Sequence, residues 1–500
     1  MRYQNPILPG FYPDPSICRV GEWYYLVCSS FQFFPGVPLF ESRDLLHWEQ
    51  IGHVLTRQSQ LPLTGADGCG GIYAPTIRYC DGVFYMVTTN VTNGGNFYVF
   101  TRDIHGEWSE PIFVRQDGID PSLYFEGGKA YFMSNGTDDF GNSGIVQCEI
   151  DLATGKKLSP ARCIWRGSGG RFLESPHLYK IGRYYYLLAA EGGTEYGHMV
   201  VCARSCELYG PYESHPGNPV LTNRNLGGYA IQGVGHADLV QDSDGNWWMV
   251  HLAFRQIQRW VQHHVTGREV CLVPVCFDES GWFTAGERGT CPQWVQTPLL
   301  PEVPQNRGIF DTFENLELGK QLVFLQNPDF SAFSMENGIL TMRPSRATLS
   351  DRDGPHSFLG LRQRQMHLRW QCHVRSDGCE AGLSVYMMPD QHYDLALRGE
   401  TLLRRLRLGD AVMETVVPIA GSEAVLSVEI TPMAYRFSAV VGEKHYDLGT
   451  AAAKFLSSEV AGNFTGVMLA LYAEGVGERA VFREYICESE AGGDCDGIMD

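Results

Sequence analysis

Apolar and aromatic residues in the first 300 positions come in short runs, and five of these runs repeat one pattern. A small, acidic or histidine residue comes first, an aliphatic residue follows three positions on, a glycine seven to nine positions on, and then aromatics. The five are Asp14-Pro15-Ser16-Ile17 with Gly21 and Trp23-Tyr24-Tyr25; Ala74-Pro75-Thr76-Ile77 with Gly82 and Phe84-Tyr85; Asp120-Pro121-Ser122-Leu123 with Gly128 and Tyr131-Phe132; Ser175-Pro176-His177-Leu178 with Gly182 and Tyr184-Tyr185-Tyr186; and His236-Ala237-Asp238-Leu239 with Gly245 and Trp247-Trp248. Each reads as a hairpin: a short strand, a glycine turn and an aromatic return strand. Their starts are 60, 46, 55 and 61 residues apart, room for one four-stranded blade each, so the pattern predicts a five-bladed β-propeller.

The pattern changes near residue 300. Pro298, Pro301 and Pro304 fall within seven residues and mark a linker. Beyond it, apolar and polar positions alternate, as in Gly338-Ile339-Leu340-Thr341-Met342-Arg343 and Ala424-Val425-Leu426-Ser427-Val428-Glu429-Ile430. Alternation of this kind predicts half-buried strands and a two-sheet β-sandwich. The expected fold class is therefore all-β, with a propeller over 1–300, a linker over 301–308 and a sandwich over 309–492. The acidic segment Glu488–Asp500 is expected to fray.

Composition agrees and removes several function classes. Glycine supplies 56 of 500 residues, above the usual ~7 %, as many tight turns require. With 44 % apolar, 12 % aromatic and 19 % charged residues, neither disorder nor a coiled coil fits. The formal net charge is −18, from 57 acids against 39 bases, so no nucleic acid and no anionic membrane surface is expected as a partner. The 15 cysteines include no CxxC pair; the nearest pairs are Cys202/Cys206, Cys271/Cys276 and Cys372/Cys379, and buried free thiols in a reducing compartment are expected. The first residues carry no apolar signal core and no apolar run is long enough to span a membrane. A cytoplasmic location is the expectation.

The repeat register also places chemistry. In a propeller, equivalent positions of every blade gather around one mouth of the central channel. Here they are Asp14, Ala74, Asp120, Ser175 (with Glu174 beside it) and His236, so three carboxylates and a histidine should converge. Acids gathered in a partly desolvated funnel raise one another's pKa, as a general acid near neutral pH requires. Glycoside hydrolysis needs two carboxyl groups in different protonation states. Read singly, Asp14 is a turn residue and His236 a hydrogen-bonded core histidine, or one that holds a water or metal on the axis.

Longer motifs sharpen this. Asn5-Pro6-Ile7-Leu8-Pro9-Gly10-Phe11-Tyr12-Pro13-Asp14-Pro15-Ser16, Phe34-Pro35-Gly36-Val37-Pro38, Ser42-Arg43-Asp44-Leu45-Leu46-His47-Trp48 and Gly70-Gly71-Ile72-Tyr73-Ala74-Pro75, with Glu174-Ser175-Pro176-His177-Leu178-Tyr179, Gly235-His236-Ala237 and Gly267-Arg268-Glu269, resemble glycoside hydrolase family 43. The chain is similar in particular to the family's β-xylosidase and α-L-arabinofuranosidase group, which carries a C-terminal β-sandwich, so the resemblance implies a sandwich of jelly-roll or concanavalin-like type. The resemblance implies an inverting mechanism with Asp14 as general base, Glu174 as general acid and Asp120 tuning and orienting Glu174. Arg268 is similar to the family arginine that binds sugar hydroxyls. His236 matches a histidine near which some members hold calcium; one histidine is a poor hard-cation site, so no cofactor is required and a structural calcium near His236 stays an open possibility. Asn463-Phe464-Thr465-Gly466 looks like the sandwich loop that closes the pocket, with Phe464 as a wall.

Phe31 and Tyr73 are the expected aromatic walls for the sugar, Phe34 is assigned to core packing, and Tyr229 and Trp260 are weaker candidates. Many family members have Trp where Tyr73 stands, which tilts the expectation slightly towards arabinofuranose. The expected activity is exo-acting release of terminal α-L-arabinofuranosyl or β-D-xylosyl units from plant-derived oligosaccharides. An endo-arabinanase and an inactive sugar-binding propeller are the alternatives. A protein-interaction propeller is disfavoured because the repeats lack a Trp-Asp signature. The sandwich faces leave room for a homo-oligomer.

Overall fold

The computed structural model describes residues 2–257, 262–300 and 308–489. The expected linker, Gly308 excepted, lies outside them, as do Trp260 and the tail from residue 490.

Among the described residues, five four-stranded antiparallel sheets follow one another along the chain. Their innermost strands are Ser16–Val20, Thr76–Cys80, Ser122–Glu126, Glu174–Ile181 and Ile231–Gln241. Each pairs with an aromatic-rich return strand: Trp23–Val27, Val83–Asn90, Lys129–Thr137, Tyr184–Glu191 and Trp247–Arg255. These are the five predicted hairpins, and the fold is a five-bladed β-propeller. Gly21 (φ 62°) and Gly182 (φ 58°) make the hairpin turns in left-handed backbone that a Cβ would disfavour. The repeated aromatics pack across the seams between blades. Tyr25 meets Phe84 at 5.3 Å, Tyr85 meets Phe125 at 5.1 Å and Tyr124 meets Tyr185 at 6.3 Å between ring centroids.

The ring is closed by short pairings. Arg2–Gln4 pairs with Trp294–Gln296, and Leu8 bridges Val270 in blade five. Below the mouth, a buried carboxylate knots the blades together. Asp238, from the fifth repeat, accepts from Arg78 Nη1 (2.7 Å) and Nη2 (3.1 Å) of blade two, Ser16 Oγ (2.6 Å) of blade one and the Tyr179 hydroxyl of blade four. Its oxygens are fully paired, as a buried charge requires.

The C-terminal part is a two-sheet sandwich. One sheet runs Phe333–Glu336, Ile339–Met342, Ala480–Ser489, Leu368–Ser376, Glu423–Ile430, Ala434–Val441, Lys444–Ala452, with Ile309–Asp311 also on Ala480–Ser489. The other runs Phe358–Arg362, Met468–Glu474, Glu380–Met388, Gln391–Arg398, Thr401–Leu408, Ala411–Pro418. Trp370, Leu383, Leu395, Leu426 and Phe437 fill the space between them. Alternation in Glu423–Ile430 is visible as alternating burial. Sandwich and propeller are joined by main-chain pairing of Phe33–Phe34 with Phe324–Leu325 and by Arg362 Nε, which donates to the Phe11 carbonyl (2.8 Å). Phe34 is buried in the core, as expected.

No helix among the described residues is long and apolar enough to cross a membrane. No described cysteine is in a disulfide; most are buried, but Cys206 and Cys276 are exposed, which departs from the expectation of buried thiols.

Candidate active site

The inner strands begin in an unusual backbone. Asp14 (φ 55°), Asp120 (φ 53°), Ser175 (φ 56°) and His236 (φ 46°) all take the left-handed conformation, uncommon for residues with a Cβ. They occupy four of the five repeat positions. A register shift follows Glu174 and others flank His236, and Asp14, Asp120, His236 and Glu174 beside Ser175 all face the channel mouth.

There, a cavity of about 350 Å³ is lined by Asp14, Asp120 and Glu174. Phe31, Tyr73, His236, Arg268 and Phe464 line it as well, so all eight expected site residues meet in one place. Tyr229 is exposed and does not line it.

The three carboxylates differ in their surroundings. Asp14 is buried; its Oδ1 accepts from Arg268 Nη1 at 2.6 Å and its Oδ2 from Ser29 Oγ at 2.5 Å. Burial pushes its pKa up, but Arg268, His236 and the Ser29 hydrogen bond outweigh it, and the carboxyl stays below its ordinary range. Glu174 has no such partner. Burial, then the charge of Asp14, push it up to about 7. Asp120 is also raised, by burial and by Glu174 and Asp14, although the Ser175 N–H donates to it. Asp120 and Glu174 titrate together, so the pair retains a proton near neutrality while Asp14 is ionised.

Glu174 is held from behind. The buried Glu191 carboxylate accepts from Ser168 N (2.6 Å), Ser168 Oγ (2.7 Å) and Gly170 N (2.9 Å), which ties down the chain leading to Glu174. Arg268 is held as firmly. Its Nη1 also donates to Thr194 Oγ1 (3.0 Å) and its Nε to the Phe464 carbonyl (3.2 Å). Its Nη2 is buried with no hydrogen-bond partner, a donor left for a ligand hydroxyl. Glu269 next to it is fixed by Arg255 (2.8 Å) and Gly10 N (2.7 Å).

One wall comes from the sandwich. Phe464 packs against Phe31 (5.5 Å) and Tyr73 (6.0 Å), and Phe31 against Tyr73 (5.2 Å). The loop reaches the propeller because Gly267 and Gly466 touch backbone to backbone: a Cβ on Gly267 would lie 2.8 Å from the Gly466 Cα. Beside it, Glu459 accepts from the Tyr196 hydroxyl (2.8 Å) and pairs with His264 Nδ1 (2.7 Å).

Sequence reasoning missed Thr194, Glu195 and His198, which come from a loop of blade four, and Phe172, an exposed ring at the rim (φ 53°). None stands at a repeat position. Thr194 and His198 flank Gly192, Gly193 and Gly197, the one signal that marked this loop as special. His198 lies against Gly235, where a Cβ would meet its ring at 2.4 Å.

His236 Nδ1 stands 3.7 Å from Asp14 Oδ1 and 3.8 Å from Asp120 Oδ2. One imidazole and two carboxylates, one already engaged by Arg268, fall short of the six to eight oxygens calcium takes. These residues do not fit that ion.

A propeller whose blades deliver separate carboxylates into one aromatic-walled pocket is the architecture of a sugar-cleaving enzyme. Comparison with known proteins gives the family. Residues 3–283 match the model of glycosyl hydrolases family 43, and residues 310–483 match the β-xylosidase C-terminal concanavalin A-like domain. The chain is 40 % identical over 494 residues to a non-reducing end α-L-arabinofuranosidase of Bacteroides ovatus, covering 95 % of this chain and 92 % of that one. It is 38 % identical to a xylosidase/arabinosidase of Butyrivibrio fibrisolvens, covering 95 % and 96 %. A solved xylan β-1,4-xylosidase of Bacillus halodurans superimposes with a TM-score of 0.90 at 32 % identity, covering 97 % of this chain and all of that one. The chain belongs to glycosyl hydrolases family 43 and is a glycoside hydrolase.

Proposed function

We propose that this chain is an exo-acting, inverting hydrolase that removes a terminal α-L-arabinofuranosyl or β-D-xylosyl unit from short plant-derived oligosaccharides. The observation that carries the reading is the unequal surroundings of the three carboxylates: Asp14 is bonded by Arg268 and Ser29, and Glu174 is buried without such a partner. Asp14, ionised beside Arg268, takes a proton from water as the water attacks the anomeric carbon. Glu174, protonated, gives its proton to the departing glycosidic oxygen. Asp120 shares the retained proton with Glu174 and orients it, while burial and the Asp14 charge raise the Glu174 pKa. Attack and departure on opposite faces invert the anomeric centre.

Arg268 Nη2 offers the sugar its unpaired donor, while Phe31, Tyr73 and Phe464 face the C–H surfaces of the ring. The Phe464 wall favours a pocket over a groove, and thus exo over endo action. The relatives' names cover both arabinofuranosidase and xylosidase, which supports a site that takes either pentose. Residues 1–300 are the proposed catalytic unit and 309–492 the domain that supplies the closing loop.

Proton NMR of the first-formed sugar, with aryl α-L-arabinofuranoside and aryl β-D-xyloside assayed side by side, tests this. The inverted anomer is expected from at least one substrate. A retained anomer, or no turnover of either, overturns it.

A further inference from the structure

A second group of reactive side chains lies away from the pocket. His251, Cys271 and Cys291 are fully buried, and one ligand atom from each lies within 4.8 Å of the others. Among the described residues this is the one group of three His, Cys, Asp or Glu side chains that close. None of the three lines the active-site cavity.

Their arrangement follows from blade five. His251 and Cys271 are directly opposite on the antiparallel strands Trp247–Arg255 and Glu269–Phe277, so their side chains leave the same face. Cys291 arrives from the segment that leads into Trp294–Gln296. Two bonds to the Asn223 side chain hold its main chain: Cys291 N donates to Oδ1 (2.9 Å) and Nδ2 donates to the Cys291 carbonyl (2.8 Å).

The histidine is set up as a ligand. Its Nδ1 is 2.9 Å from the Leu252 carbonyl. A carbonyl only accepts, so Nδ1 carries the proton and Nε2 keeps its lone pair, the tautomer that a metal-bound histidine takes. That Nε2 is buried, and the group nearest to serve it is the Cys291 thiol, which also bonds Cys271. A thiol is only a weak donor, so the imidazole lone pair and the two sulfurs face one another. Asn5 Nδ2 donates to Cys291 Sγ at 3.5 Å, the kind of outer-shell bond that steadies a sulfur ligand.

We propose that His251, Cys271 and Cys291 form a structural site for one zinc ion. Two thiolates and a neutral imidazole are the soft and borderline donors that zinc selects over calcium or magnesium. The two thiols give up their protons on binding, so the dication and two thiolates form a neutral group that the apolar core accommodates. The three side chains supply three donors of a tetrahedral set, and one water would complete it.

The site lies at the seam of the ring. Cys291 precedes the strand that pairs with Arg2–Gln4, and Asn5 N donates to the Gln293 carbonyl (2.7 Å). An ion bridging Cys291 to the two blade-five strands would staple the last turn of the propeller just where the N-terminal strand closes it. Its effect is on the stability of closure, apart from hydrolysis.

The test uses the full chain expressed in zinc-supplemented medium, purified natively and dialysed against a chelator. Atomic emission should find one zinc per chain. Cadmium supplied in place of zinc during expression should give sulfur-to-cadmium charge-transfer absorption. Both signals should vanish in Cys291→Ser and in His251→Gln and persist in Cys202→Ser, which removes a buried thiol outside the group. The wild-type propeller should also unfold at a higher temperature than protein made in zinc-depleted medium. If the variants do not fold, the wild-type metal content and cadmium absorption decide alone. Zinc in wild-type protein no higher than in an unrelated protein prepared alongside, or zinc retained by the variants, overturns the proposal. So does a native mass two hydrogens short, with Cys271 and Cys291 in a disulfide.

Discussion

The contact between Gly267 and Gly466 makes a quantitative prediction about how the two domains share one site. A Cβ at Gly466 would lie 2.5 Å from the Thr266 carbonyl oxygen and 2.9 Å from the Gly267 Cα. Both neighbours are backbone, and Thr266 is fully buried, so the loop and not the propeller has to give way. Restoring van der Waals distance moves Asn463–Gly466 outward by roughly 1 Å, and displacements of that size cost on the order of 100-fold in rate where alignment matters. The move breaks the 3.2 Å bond from Arg268 Nε to the Phe464 carbonyl and lifts the Phe464 ring off Phe31. Gly466→Ala should therefore lower kcat/KM on an aryl pentoside by about 100-fold, equivalent to about 2.7 kcal/mol. The unfolding midpoint should move little, because the Glu459 anchor and the 2.9 Å bond from Val467 N to the Val265 carbonyl remain. Gly227→Ala, where a Cβ meets nothing within 4 Å, is the control. Wild-type kcat/KM in Gly466→Ala would refute the idea that this loop completes the pocket.

Four further outcomes follow from the buried charges of the channel. Glu174→Gln should cut turnover of poor leaving groups by about 100- to 10,000-fold, the range of general-acid catalysis, and that of activated aryl glycosides far less; equal losses on both would exclude the acid role. Its pKa is raised from 4.5 to about 7, so the folded state binds the extra proton between those values. Stability from that group is complete below 4.5 and lost as pH rises through 7, and calorimetry should find Glu174→Gln melting higher than wild type at alkaline pH but not in acid. In wild type, kcat/KM should fall above about pH 7 as Glu174 ionises, and on the acid side only below the ordinary carboxylate range, because Asp14 is held down; a flat alkaline side contradicts the assignment. Asp238→Asn leaves the Arg78 guanidinium unbalanced in the channel and should destabilise the propeller by about 3–5 kcal/mol, read from its urea transition, with partial recovery in Asp238→Asn/Arg78→Met; an unchanged midpoint would mean that the channel charges are dispensable.

The repeat pattern carried more of the site than any local motif. Asp14, Asp120, Ser175 and His236 were placed on one mouth by register alone, and their shared left-handed backbone is the physical form of that register. Where the repeat is silent, so is the sequence. Thr194 and His198 come from a blade-four loop outside the repeated hairpins, and they reach the cavity only where the blades close. Phe464 was reached through family resemblance, since nothing in an alternating strand pattern says that one loop crosses to another domain. The thiols show the limit of spacing most plainly. Sequence proximity pairs Cys271 with Cys276, yet Cys276 is exposed. Antiparallel pairing instead sets Cys271 opposite His251, and ring closure brings in Cys291 from 20 positions away.

The division of labour among the acids comes down to the placement of one cation. Asp14, Asp120 and Glu174 share the mouth of one channel, and burial alone would raise all three pKa values. Arg268 breaks that equivalence because it bonds Asp14 and reaches the other two only through space. Its reach is set by the chain on either side: Gly267 lies against the sandwich loop, Glu269 is locked by Arg255 and Gly10, and the Arg268 carbonyl accepts from Tyr12 N at 3.0 Å. The same residues that dock the sandwich thus aim the guanidinium. Closing the pocket and choosing which carboxylate is the base are one structural event, and a change that loosens the domain contact acts on protonation as well as on fit.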